Sequence, residues 1–127
     1  MIDRLTAPGA PAPRGPYSHA VRAGDFIFVS GQGPIDPVTN QFSLGDIRHE
    51  TRVTLENIKH ILEGAGASLA DVVKCGVFLL DGGDFAAMNE VYTEYFGRQK
   101  PARTTVEAKF VAAGMKIEID CIAYKPR

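Results

Sequence analysis

Two short runs, Phe26-Ile27-Phe28-Val29 and Val72 to Leu80, are apolar at nearly every position. Successive side chains of a β-strand point to opposite faces, so runs of this kind need cover on both sides of a sheet. The chain offers only two helical segments, and two helices cover one face of such a sheet and no more. A lone copy would therefore leave an apolar sheet face in water, which marks an interface. The sequence predicts a homo-oligomer whose sheets pack on one another.

The flanking pattern gives the order ββαβαββ. A Pro/Gly-rich lead, Ala7 to Pro16, precedes strands at Ser18–Arg22 and Phe26–Ser30, joined by the turn Ala23-Gly24-Asp25. Gly31 to Ser43 reads as a loop with one short strand near Phe42. From Asp46 to about Gly64, Ile47, Thr51, Leu55, Ile58, Leu62 and Ala65 recur at spacings of four and three. They form a single apolar helical stripe, with Arg48, Glu56, Lys59 and Glu63 turned away. Val72 to Leu80 is the third strand, and Asp81-Gly82-Gly83-Asp84 is a turn ending in an N-cap. A second helix, Phe85 to Phe96, should bury Phe85, Met88, Tyr92 and Tyr95. Strands Thr104–Phe110 and Lys116–Tyr124 close the chain, the former with Thr104, Val106, Ala108 and Phe110 inward. With 127 residues, 45% of them hydrophobic, residues 1–127 make a single α+β domain: a mixed sheet with two helices on one face.

Charge and composition exclude several functions. Fourteen basic and 15 acidic residues leave a net charge of -1, which gives neither nucleic acid nor an anionic membrane a surface to bind. Met1 to Gly15 has no continuous apolar stretch, so neither a signal peptide nor a membrane span is expected, and the expected compartment is the cytoplasm. Cys75 and Cys121 lie in apolar strand-like runs and read as buried small hydrophobes, not as a disulfide or a metal pair. His49 and His60 share a helix face but stand about 16 Å apart at the helical rise, too far for one metal ion to bridge. No metal and no cofactor are expected.

Four polar features can carry chemistry. Gly15-Pro16-Tyr17-Ser18 is a turn feeding a strand. In Ser30-Gly31-Gln32-Gly33-Pro34, glycine at a strand exit lets a ligand approach the backbone. That segment is not a dinucleotide fingerprint, because Asp36 stands at the third glycine position and Pro34 and Pro37 forbid the helix that should follow. Nor is it a nucleophile elbow, since Val29 precedes Ser30. Arg103, in Pro101-Ala102-Arg103-Thr104, is either a surface charge or a bidentate clamp for a carboxylate. Glu118 and Asp120 share one strand face, opposite Ile117, Ile119 and Cys121. If that face is covered in an oligomer, a carboxylate there is partly dried and becomes a usable general base for water.

Taken in order, the segments resemble one family throughout. These are Gly15-Pro16-Tyr17-Ser18, Phe28 to Gln32, Thr51 to Asn57 before Ala65-Gly66, Val72-Val73-Lys74, Asp84-Phe85 to Tyr92, Pro101-Ala102-Arg103 and Ile117-Glu118-Ile119. The chain resembles the Rid/YjgF family of enamine/imine deaminases. The resemblance implies a chorismate-mutase-like fold, a homotrimer and sites in clefts between subunits. It also implies that Arg103 binds a substrate carboxylate and Glu118 positions the hydrolytic water, with Tyr17, Ser30, Gly31 and Asn89 lining the site. The implied reaction is cofactor-free hydrolysis of 2-aminoacrylate or 2-iminobutanoate to 2-oxo acids and ammonia. Asp120 is read as structural, and so is His19, which stands where the family commonly has Gln. Gly33, Asp81-Gly82-Gly83 and Phe110 to Met115 also depart from the pattern and bear on pocket size. Alternative readings are a non-catalytic binder of 2-oxo acids on the same fold, a deaminase of a larger catabolic intermediate, and a ribonuclease, which the charge balance disfavours.

Overall fold

A computed structural model describes residues 1–127. Six strands form one sheet: β1 (Ile2–Leu5), β2 (Ala20–Ala23), β3 (Phe26–Gln32), β4 (Val72–Leu79), β5 (Ala102–Glu107) and β6 (Ile117–Tyr124). Two helices, α1 (Ile47–Gly64) and α2 (Phe85–Phe96), lie on one face. The spatial order is β1-β2-β3-β6-β4-β5, with β4 and β5 parallel and every other pairing antiparallel. The α+β class and the two-helix layer are as the sequence implies.

Between the helices and the sheet lies a core that includes Ile27, Val29, Leu55, Ile58, Leu62, Val77, Leu79, Met88, Ile117 and Ile119. The stripe expected on α1 is buried from Ile47 through Leu62. Asp46 caps α1 by accepting from the His49 N–H at 2.8 Å, which satisfies a donor that the first turn leaves free. Arg48 pairs with Glu90 and Arg52 with Glu94, each at 2.6 Å, and Tyr95 donates to Glu56. Partner numbers rise together along the two helices, so α1 and α2 run side by side in the same direction. Both ion pairs are exposed and fix alignment more than stability.

Four sequence expectations change. Ile2–Leu5 forms an edge strand that the lead segment did not announce. In α2, Phe85 is exposed and Tyr95 only half-buried, while Val91 and Phe96 join Met88 and Tyr92 inside. Asp84 makes no side-chain cap; Asp81 instead accepts from the Gly83 N–H at 2.8 Å and closes the short turn before α2. Finally, β5 runs from Ala102 to Glu107 with the opposite parity. In-register parallel pairing sets Arg103 beside the core residue Cys75, so Arg103 and Thr105 face the helices. Thr104 and Val106 consequently lie on the other face.

That other face is open and carries apolar side chains alongside Glu118 and Asp120. Phe26, Phe28, Val106 and Tyr124 are each more than 40% exposed, with Phe78 and Ile122 half-buried among them. Apolar side chains at alternate positions of β3, β4 and β6 are thus covered on the helix side only.

Candidate functional site

Gly31 sits at an irregularity in the β3–β6 pairing, between Val29 and Gln32. Bulges of this kind re-aim side chains, and this one lies where Glu118 crosses from β6. A Cβ at Gly31 would stand 2.4 Å from Glu118 Oε2. The glycine is there because the glutamate lies on its backbone, and any larger residue would displace the carboxylate. The close approach expected at this strand exit is made by a side chain of the protein itself.

Glu118, Tyr17, Ser30 and Gly31 border one shallow recess. The Ser30 hydroxyl donates to the Ser18 carbonyl at 2.7 Å, so it is spent on holding the turn. Tyr17 is half-exposed, and its hydroxyl accepts from the Arg14 N–H. Burial pushes the Glu118 carboxyl above the usual carboxylate range, and the neighbouring Asp120 charge adds to the rise. Asp120 itself accepts from the Gly76 N–H at 3.1 Å, a structural contact that only glycine permits at position 76.

Arg103 lies on the helix face of the edge strand β5. Its Nη1 donates to Asn89 Oδ1 at 2.8 Å, and the guanidinium stacks 4.7 Å from the Tyr92 ring and 5.5 Å from Phe85. Amide and rings orient the fork without neutralising it, and no carboxylate of the chain pairs with it. A cleft of about 380 Å³ opens beside it, bordered by Asn89, Thr93, Lys100 and Pro101.

The structure therefore places the expected residues in two separate groups. Tyr17, Ser30, Gly31 and Glu118 gather on the open face, and Asn89 with Arg103 on the helix face. Arg103 borders the cleft beside Asn89, Glu118 borders the recesses of the open face, and none of these contains both.

His19 is buried and structural. Its Nδ1 accepts from the Ala7 N–H at 2.8 Å, and Nε2 donates to the Pro11 carbonyl at 2.6 Å. This bridging fixes the tautomer and staples the lead segment to β2. Cys75 and Cys121 are buried, unbonded and directly opposite across β4 and β6, and burial raises both thiols. His49 and His60 are exposed on α1, and no three His, Cys, Asp or Glu side chains converge.

Two supporting residues escaped the sequence reading. Asn57, buried on α1, donates to the carbonyls of Gly33 and Ile35 and so holds the loop after Gly31. Glu50, fully buried, accepts from the N–H groups of Gly45 and Lys116 and from Lys116 Nζ. Both are polar residues inside the apolar stripe of α1, which is the available signal for a buried side chain with dedicated partners.

The family model described as Endoribonuclease L-PSP matches residues 7–125. A RutC family protein of Pyrococcus horikoshii is 58% identical over 125 residues, covering 98% of this chain and 99% of that protein. The chain belongs to the Rid/YjgF family. The crystal structure of RidA from an Antarctic Psychrobacter superposes with a TM-score of 0.91 at 39% identity, over 96% of this chain and 98% of that one. The 3-aminoacrylate deaminase RutC of Acinetobacter baylyi is 42% identical over 116 residues, 91% of this chain and 92% of that protein.

Proposed function

We propose that this Rid/YjgF chain is a cofactor-free deaminase that hydrolyses small 2-imino acids, such as 2-iminopropanoate and 2-iminobutanoate, to 2-oxo acids and ammonia. One observation carries the reading. Arg103 is an oriented guanidinium with no anion, and Glu118 is a partly dried carboxylate with no cation pairing to it in the chain. Each half-site lacks what a small anion held between two copies would supply. The open apolar face beside Glu118 supports a homo-oligomer, a trimer by family resemblance, in which Arg103 of one copy meets Glu118 of the next.

In such a cleft Arg103 grips the substrate carboxylate through paired N–H donors. The C=N carbon then lies near Glu118, which takes a proton from water as its oxygen bonds to that carbon. The π pair of the protonated imine passes to nitrogen, giving a carbinolamine with an NH2 group. Glu118 returns its proton to that nitrogen and then takes the hydroxyl proton as the C–N bond breaks, so that ammonia leaves while the C=O forms. An imine is electrophilic enough for this without a covalent nucleophile. The name of the A. baylyi relative, a deaminase acting on 3-aminoacrylate, supports the reaction class. The word endoribonuclease attached to the family model finds little support in this chain, whose charges nearly cancel.

The test couples an amino-acid oxidase to the purified protein and follows imine decay. Wild type should speed 2-oxo acid release, and Arg103→Ala should fall close to the uncatalysed rate. Glu118→Gln should keep binding a 2-oxo acid while turnover drops about a hundredfold, the usual size of a general-base contribution. Full activity in Arg103→Ala would refute the carboxylate clamp.

A further inference from the structure

Arg14 stands immediately before Gly15-Pro16-Tyr17, and two contacts orient its exposed guanidinium. The ring of Phe42 lies 4.7 Å beneath it, and Nη2 donates to the carbonyl of Asn40. Asn40 holds φ at 59°, a left-handed conformation that asparagine tolerates better than most residues. No carboxylate of the chain pairs with Arg14. The side chain is thus held by a ring and a neutral carbonyl, with charge and spare N–H donors uncommitted.

The guanidinium borders a recess of about 270 Å³ that also contains Gly31 and Glu118. Its walls are mostly apolar, among them Ile35, Phe42, Phe110 and Met115. One recess thus brings the Glu118 carboxylate, several apolar groups and a cation together. A three-carbon imino acid, clamped by its carboxylate elsewhere, leaves this recess unfilled. A side chain that adds a methylene or two and ends in an anion suits this lining, with its methylenes against the apolar walls and its anion against Arg14.

We propose that this recess is the side-chain subsite and that Arg14 selects 2-imino acids bearing a second carboxylate. The inference rests on the deaminase reading and specifies its substrate class. Arg14 is a specificity residue, remote from the reacting carbon. Its contact stabilises bound substrate and transition state about equally, so its loss should appear in KM more than in kcat.

The experiment generates 2-iminosuccinate from aspartate and 2-iminopropanoate from alanine with suitable oxidases, and compares kcat/KM for wild type, Arg14→Met and Arg14→Lys. Arg14→Met should lower the ratio of dicarboxylic to monocarboxylic kcat/KM about tenfold, the size expected for one charge-assisted hydrogen-bonded contact. Arg14→Lys should recover part of the ratio. Calorimetric affinities for oxaloacetate and pyruvate should shift in the same sense, a readout independent of turnover. If 2-iminopropanoate is hydrolysed and both ratios stay unmoved in Arg14→Met, the subsite assignment is wrong while the deaminase reading stands. If wild type accelerates neither imine and Arg103→Ala changes nothing, both fail together.

Discussion

Glu118 and Gly31 make a mutual fit: the carboxylate occupies the space a side chain at position 31 would need. The fit brings Glu118 out of bulk water, and with the nearby Asp120 charge it lifts the carboxyl above its ordinary range. The ionised form is the base, so activity should rise with pH through the Glu118 transition. Asp120→Asn keeps an oxygen for the Gly76 N–H but removes the like charge. It should shift the acid limb of the kcat/KM profile to lower pH, and a limb that stays put or moves upward would contradict the assigned cause. At this scale the sequence was informative where chemistry is unusual: a guanidinium opening a strand and two acids on one strand face. Arg14 was not legible, because nothing in a Pro-rich lead shows that residue 14 will rest on Phe42, 28 residues on.

At the scale of elements, α1 does more than cover the sheet. Glu50 reaches from it to two loops, tying the backbone of Gly45 to that of Lys116, while Lys116 Nζ donates to both Glu50 and the Gly45 carbonyl. Met115, next in the chain to this tie, packs against Gly33 and lines the recess beside Glu118. Glu50→Ala would leave those donors without their acceptor in a dry site, and should destabilise the fold by about 3–5 kcal/mol in urea or thermal unfolding. A loss under about 1 kcal/mol would mean that water replaces the carboxylate. Both helices were legible from their 3.6-residue period, and β3 and β4 from their nearly continuous apolar runs. The edges were not. β1 has four residues with Asp3 and Arg4 among them, and gains its order only by pairing with β2. The parity of β5 misled because Thr104 and Val106 do suit burial, though on the open face, while pairing with β4 turns Arg103 to the helix side.

For the molecule as a whole, the exposed rings of β3 and β6 and the division of the site point the same way. Fully burying one phenylalanine is worth about 1.5–3 kcal/mol, so a face carrying Phe26, Phe28 and Tyr124 favours association strongly. The double-sided apolar runs made this open apolar face legible from sequence, whereas the orientation of a copy covering it depends on shape, which one-dimensional pattern does not encode. In the proposed function, Arg103 and Glu118 act together from different copies. Co-expressing Arg103→Ala and Glu118→Gln chains in equal amounts tests it most directly, with imine hydrolysis by the purified mixture as the readout. Random assembly leaves about one cleft in four with both groups intact, so the mixture should regain about a quarter of wild-type activity although each variant alone is nearly inactive. A mixture no more active than the separate variants would contradict a site shared between chains.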